Sequence, residues 1–169
     1  MDSINKYGND AGNHQMMKMD RIDRHLLALI QKQGRLSTAE LAELVGLSAS
    51  PCARRIKRLE DEGVIDGYQA TLNRKAVGIG MTVFVEVSLN NHQASSIDEF
   101  ESALVEMDEV ISAHVVSGAY DYLLEVVSPD LVGYERFIRK VQQLDNVKDI
   151  HTHLAMRQVK QAGSLPVFR

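Results

Sequence analysis

The chain has 169 residues, enough for one generous domain or two small ones, and its 44% apolar and 25% charged side chains are those of an ordinary globular protein. No run has the unbroken apolar length of a membrane span, the first residues lack the apolar centre of a secretory signal, and the lone Cys52 cannot close an internal disulfide; a reducing cytoplasm is expected. The net charge of −4 argues against a polyanion partner until it is resolved along the chain: residues 18–75 carry eleven basic against eight acidic side chains, residues 76–169 seven against thirteen, so any polyanion would meet the front half.

Residues 1–18, rich in Asn, Gly, Asp, Lys and Ser without apolar period, read as a flexible tail. A helix is predicted from Asp20, with Asp23 in its first turn and Ile22, Leu26, Leu29 and Ile30 at helical spacing, stopping at Gly34. A second opens at Ser37, with Glu40 completing a capping box, buries Leu41, Leu44 and Val45, and ends at Gly46. A third begins between Ser48 and Ser50 with Pro51 in its first turn, buries Cys52, Ile56 and Leu59, and ends before Gly63. These form a domain over 19–66. Residues 67–80 are a linker: Tyr68, Ala70 and Leu72 alternate as a short β ribbon or extended arm, and 73–80 is a hinge.

From 81 the period changes. Met81, Val83, Val85, Val87 and Leu89 alternate as a strand, and Ile97, Phe100, Leu104 and Met107 have helical spacing. Val110–Ser117 and Tyr122–Ser128 are two more strands. Tyr134, Phe137, Ile138, Val141 and Leu144 make a helix, and Ile150, Thr152, Leu154 and Met156 a last strand. The order βαββαβ over 81–157 is the ferredoxin-like split unit, followed by a C-terminal tail over 158–169. The fold class is therefore α+β, a three-helix domain followed by a ferredoxin-like one.

Two short helices joined at Gly46 form a helix-turn-helix, whose second helix enters the major groove of DNA. At 100° per residue, Cys52, Ile56 and Leu59 point inward, Ser50, Arg54 and Lys57 point outward, and Arg58 lies on a flank. Arg54 suits bidentate pairing with a guanine, and Lys57 and Arg58 suit phosphates. The DNA-facing surface is then Ser48, Ala49, Ser50, Pro51 and Ala53 with Arg54, Arg55, Lys57 and Arg58. A basic helix by itself is as readily the solvated face of a small core. The three-helix spacing, the glycine turn and the following ribbon together favour DNA.

The run Asp20-Arg21-Ile22-Asp23 with Leu26-Leu27, the segment Val45-Gly46-Leu47-Ser48 to Gly67-Tyr68 with its Pro51-Cys52 pair, and Ser117-Gly118 with Tyr120-Asp121-Tyr122-Leu123-Leu124 resemble the Lrp/AsnC, or feast/famine, regulators. The resemblance runs from Asp20 to Pro166. It implies a winged helix-turn-helix, a hinge, and an amino-acid-responsive domain that forms homodimers, often assembled into tetramers or octamers, with the effector bound between subunits. The expected function is a cytoplasmic, nucleoid-associated bacterial transcription regulator acting on double-stranded DNA, with no cofactor.

Ser117, Gly118, Tyr120, Asp121 and Tyr122 form the effector loop. Backbone N–H groups near Gly118 can approach a carboxylate, and Asp121 can accept from an ammonium. The same residues also make an ordinary tight turn, and the tyrosines serve equally as core or interface aromatics. The resemblance adds His153, Leu154 and Ala155, which match positions that influence the effector response. His114, His151 and His153 lack a completing ligand for a metal. Cys52 lies on the inward stripe and reads as a core residue rather than a redox switch. No grouping of nucleophile, base and orienter indicates an enzyme. The rival reading is an amino-acid-sensing module that controls a partner enzyme through its N-terminal helices.

Overall fold

Asp20 and Asp23 start the first helix by a reciprocal exchange: the Asp23 N–H donates to Asp20 Oδ1 at 2.9 Å and the Asp20 N–H to Asp23 Oδ2 at 3.1 Å, a capping box that opens α1 (Arg21–Lys32). Ser37 and Glu40 repeat the device at α2 (Thr38–Val45). The computed structural model describes residues 18–161 and 163–167, so residues 1–17 of the expected tail lie outside the described residues. Gly46 caps α2 at φ 72°, the left-handed region where a side chain is strained, and the Leu47 N–H reaches back to the Ala42 carbonyl at 2.8 Å. The chain turns there into α3 (Ala49–Asp61). Leu26, Leu41, Ala42 and Cys52 are the buried centre of the three helices, with Ile22, Leu29, Leu36 and Ile56 around them.

The second unit is a four-stranded antiparallel sheet in the order β2-β3-β1-β4, made by β1 (Met81–Leu89), β2 (Val110–Val115), β3 (Tyr122–Ser128) and β4 (Val147–Leu154). Helices α4 (Ala94–Val105) and α5 (Leu131–Gln142) connect them as in a split βαβ unit. Pleating separates the faces. Val83, Val85, Val87, Leu124 and Val126 pack with Phe100, Leu104, Phe137 and Val141. Thr152 also faces the helices, its hydroxyl 2.6 Å from that of Tyr134. The opposite face carries Phe84, Glu86, Leu123, Glu125, His151 and His153, by alternation and register. By contacts, the described residues divide into a unit over Leu72–Val159 and one comprising the helices up to Thr71 with the chain's end from Lys160.

The structure departs from the sequence reading in five places. Helix α1 closes at Lys32, two residues before Gly34, where the Gln33 N–H bonds to the Leu29 carbonyl. Leu44 is 52% exposed and Ala42 is buried in its place: at 100° per residue the two stand about 80° to either side of the direction midway between Leu41 and Val45, so the pattern does not choose between them, and it is Ala42 that packs into the core of the three helices. Of the two forms expected at Tyr68–Leu72, the ribbon is not formed and the arm is: no described segment of this chain pairs with residues 64–72, Tyr68 donates its hydroxyl to Glu60 at 2.8 Å, and Leu72 is exposed. Strand β4 begins at Val147 and ends at Leu154, leaving Met156 exposed beyond it. Strand β2 ends at Val115, two residues short of the expected Ser117. In the C-terminal segment the Leu165 N–H donates to Gln31 Oε1 at 2.6 Å, and Gln31 Nε2 donates to the Leu165 carbonyl.

Gly80 is a close approach, because a Cβ there would lie 2.2 Å from the Pro129 carbonyl oxygen, a backbone atom with little freedom to move. Its N–H bonds to Ser128 at the end of the β1–β3 ladder. Gly80→Ala is expected to destabilise the sheet unit by about 1–3 kcal/mol, the usual cost of overpacking, read as a lower denaturant midpoint.

Candidate functional site

Helix α3 has one face committed to the core and one left to solvent. Cys52 and Leu59 are fully buried and Ile56 packs beside them. Burial pushes the Cys52 thiol pKa up, which favours an inert thiol rather than a reactive thiolate. Of the expected DNA-facing residues, Ser48, Ala49, Ser50, Ala53, Arg54, Lys57 and Arg58 are exposed, while Pro51 and Arg55 are half-buried. Arg54 has no ion-pair partner among the described residues. Among the described residues Lys57 meets only the exposed Asp61, at 3.7 Å, a pairing of little energetic weight.

Arg55 and Arg58 have a different task. Arg55 Nη1 donates to Asp23 Oδ1 at 2.8 Å and to Asp20 Oδ2 at 2.7 Å, and Arg58 Nη2 donates to Asp23 Oδ2 at 2.7 Å. Asp23 is 1% exposed, so two arginines of α3 and one turn of α1 meet on a single buried carboxylate. Its two oxygens accept three side-chain or backbone donors, which meets the requirement for burying a charge. The Asp23 N–H and then the Arg55 guanidinium hold the Asp20 carboxyl down at about 2, and the Asp23 and Asp20 carboxylates push Arg55 further up. Arg58 keeps part of its guanidinium toward solvent, with its side chain 43% exposed. The sequence signal for this lock was two acidic residues three apart at a helix start, facing arginines three apart on another helix.

In the sheet unit the expected effector residues fall into two groups. Ser117 and Gly118, with the adjoining Ala119 that was not among those expected, are exposed, and their N–H groups donate to no acceptor among the described residues. Gly118 stands at φ 135°, which favours glycine. Asp121 is fixed: the Leu89 N–H donates to its Oδ2 at 2.7 Å and His92 Nε2 lies 2.8 Å from its Oδ1. Those two contacts hold its carboxyl below the usual range. Tyr122 is a core residue, its hydroxyl donating to Glu101 at 2.8 Å and its ring 4.8 Å from that of Phe100. Burial and then Glu101 push its phenol well up. Tyr120 stacks obliquely on His151 at 5.0 Å.

His153, Leu154 and Ala155 lie toward the other end of β1. Leu154 pairs with Val83, whereas Asp121 is bonded to Leu89, six residues along the same strand. At the rise of a strand that separation is roughly 20 Å, too far for one amino acid to span. Within one chain the two groups are not one site. His153 instead meets Glu86 at 3.2 Å and His151 meets Asp149 at 3.1 Å, and no group of three metal-ligating side chains converges among the described residues.

Comparison with known proteins matches the helical unit and the sheet unit separately. Residues 19–66 match the family description winged helix-turn-helix DNA-binding, and residues 82–165 match Lrp/AsnC ligand binding domain. The leucine-responsive regulatory protein of Klebsiella pneumoniae is 40% identical over 150 residues, covering 88% of this chain and 92% of that protein. Among solved structures, an AsnC family transcriptional regulator from Agrobacterium tumefaciens is 37% identical with a TM-score of 0.84, covering 88% and 97% of the two chains. A transcriptional regulator from Neisseria meningitidis, solved in complex with L-methionine, is 32% identical with a TM-score of 0.86, covering 89% and 97%.

Removing the central carboxylate leaves two arginines without it and ends one half of the capping box, the bond from the Asp20 N–H. Asp23→Ala should therefore cost about 3 kcal/mol, the low end for breaking a buried pair because both arginines are partly solvated, measured on the helical transition by circular dichroism in urea. Asp20 has a folded pKa below its ordinary 3.8, so its contribution is present above that value and is lost as pH falls toward 2. Asp20→Asn should correspondingly flatten the acid limb of the stability profile between pH 4 and pH 2.

Proposed function

The chain belongs to the Lrp/AsnC family of DNA-binding transcription regulators with an amino-acid ligand-binding domain, and on that premise we propose that it acts in the bacterial cytoplasm, on the nucleoid, as a homo-oligomer whose hold on DNA responds to a free amino acid. The observation that carries the DNA half is the division of labour on α3. Arg55 and Arg58 turn toward Asp23, while Arg54 and Lys57, each one residue before them in sequence, stay exposed on the side of the helix away from the core. Arg54 reads a guanine by its two-pronged guanidinium, and Lys57 and the solvated part of Arg58 hold phosphates. Ser48 to Ala53 supply the helix start that approaches the base edges.

Two copies pair through the open faces of their sheets, where Phe84 is 38% exposed beside Leu123, within a polar rim of Glu86, Glu125 and the histidines. Pairing sets two recognition helices about one turn of DNA apart, and tetramers or octamers are built from such pairs. A second copy is also what can bring a His153–Ala155 segment to a Gly118–Asp121 loop, since one chain keeps them apart. The effector is an amino acid, supported by the L-methionine complex of the Neisseria relative; its carboxylate meets the N–H groups of 117–119 and its ammonium meets Asp121. It shifts DNA affinity to the extent that it binds one arrangement of subunits better than another. We assign no reaction to the chain.

Fluorescence anisotropy on duplex DNA in graded salt tests the reading. Affinity should fall steeply with salt, and Lys57→Ala should weaken all sequences alike and reduce the logarithmic salt slope by about one. Arg54→Ala should lose about 1–3 kcal/mol at preferred sequences and little elsewhere. An unaltered sequence preference would place the base-reading face elsewhere.

A further inference from the structure

We propose that His92 is a displaceable plug on the effector site, its imidazole holding the one oxygen of Asp121 that the backbone leaves free until an amino-acid ammonium takes its place. This rests on the reading that Asp121 accepts the ammonium. The Asp121 N–H donates to the Val87 carbonyl at 3.0 Å, its own carbonyl accepts from the Val116 N–H at 2.9 Å, and its Oδ2 accepts from the Leu89 N–H at 2.7 Å. All three bonds are to backbone within the strand ends, and they fix the carboxylate in position and direction. Only Oδ1 remains, and there His92 Nε2 lies at 2.8 Å.

The imidazole resembles what it would give way to. It offers an N–H donor, and when protonated a positive charge, at the distance an ammonium would take from the same oxygen. The two partners differ in freedom: the His92 side chain is 65% exposed and that of Asp121 29%. The loop on either side of the histidine is pinned. The Asn90 N–H donates to the Asn146 carbonyl at 2.8 Å, the Asn91 side-chain amide donates to Asn146 Oδ1 at 3.0 Å, and the Gln93 N–H donates to Asn91 Oδ1 at 3.1 Å. Displacement thus requires rotation of one exposed ring rather than movement of the loop.

The charges acting on Asp121 are His92 from the β1–α4 loop and Lys148 from β4. The imidazole and an effector ammonium compete for the same Oδ1, so removing the ring frees that oxygen and replacing it with a lysine ammonium blocks it. A ligand without a free ammonium cannot replace the ring, so N-acetylated amino acids are excluded.

Isothermal titration of the full chain with L-methionine and L-leucine tests the plug. His92→Ala should bind roughly five-fold more tightly than the unsubstituted protein, and His92→Lys more weakly than either. N-acetyl-L-methionine should bind none of them. His92→Ala with the affinity of the unsubstituted chain would overturn the plug. Asp121→Asn keeps an acceptor for the Leu89 N–H and separates the two ideas. If it loses binding while His92→Ala is unchanged, the plug alone fails; if it binds normally, the ammonium site fails first. Silence of every variant toward both amino acids would remove the site and the plug together.

Discussion

Asp23 sits between two helices with both carboxylate oxygens in use, and the rotation of α3 about its own axis follows from that arrangement. The apolar contacts of Cys52, Ile56 and Leu59 press the helix onto the core, but hydrophobic burial is non-directional and tolerates rotation by a few tens of degrees. Hydrogen bonds from two guanidinium groups to one carboxylate are less forgiving. With Arg55 and Arg58 held on that side, Arg54 and Lys57 have only the outward side to occupy. The capping box adds economy, since the same carboxylate that positions α3 also accepts the N–H that opens α1.

The sheet unit solves a comparable problem with different means. Asp121 is held by strand-end backbone, so its position is as firm as the ladder between β1 and β3. Arg74 likewise ties the linker to the sheet, donating to Thr82 at 2.8 Å and to Glu125 at 2.9 Å. Its charge is engaged there, although in the sequence it counts toward the basic front half. Net charge by segment pointed toward a polyanion partner, but several of the cations counted in it have structural partners. Functional charge on this protein is what is left after those partners are subtracted.

Most of the architecture was legible because its signals are local. Ser37 with Glu40, Gly46 after Val45, and Pro51 near a helix start are rules about backbone groups within one turn, and each stands where the spacing put it. The alternation from Met81 to Leu89 and the two helical stripes in the second half gave βαββαβ for the same reason. Leu44 was misplaced because Leu44 and Ala42 flank the stripe of Leu41 and Val45 at equal angles, and which flank is covered depends on where the neighbouring helices pack. The ribbon at 68–72 has the composition of a strand, but pairing needs a neighbour, and alternation says nothing of where one is.

The sequence by itself determined the elements, their order, the two-unit division and the basic character of the third helix, because caps, turns and period act over a few residues. Tertiary structure alone decided which cations are free, which half of Asp121 is open, and that His153–Ala155 lie far along the sheet from the loop they were grouped with. Those outcomes depend on distances between residues dozens of positions apart in the chain. Such distances are set by helix rotation and strand register, which no short-range pattern encodes.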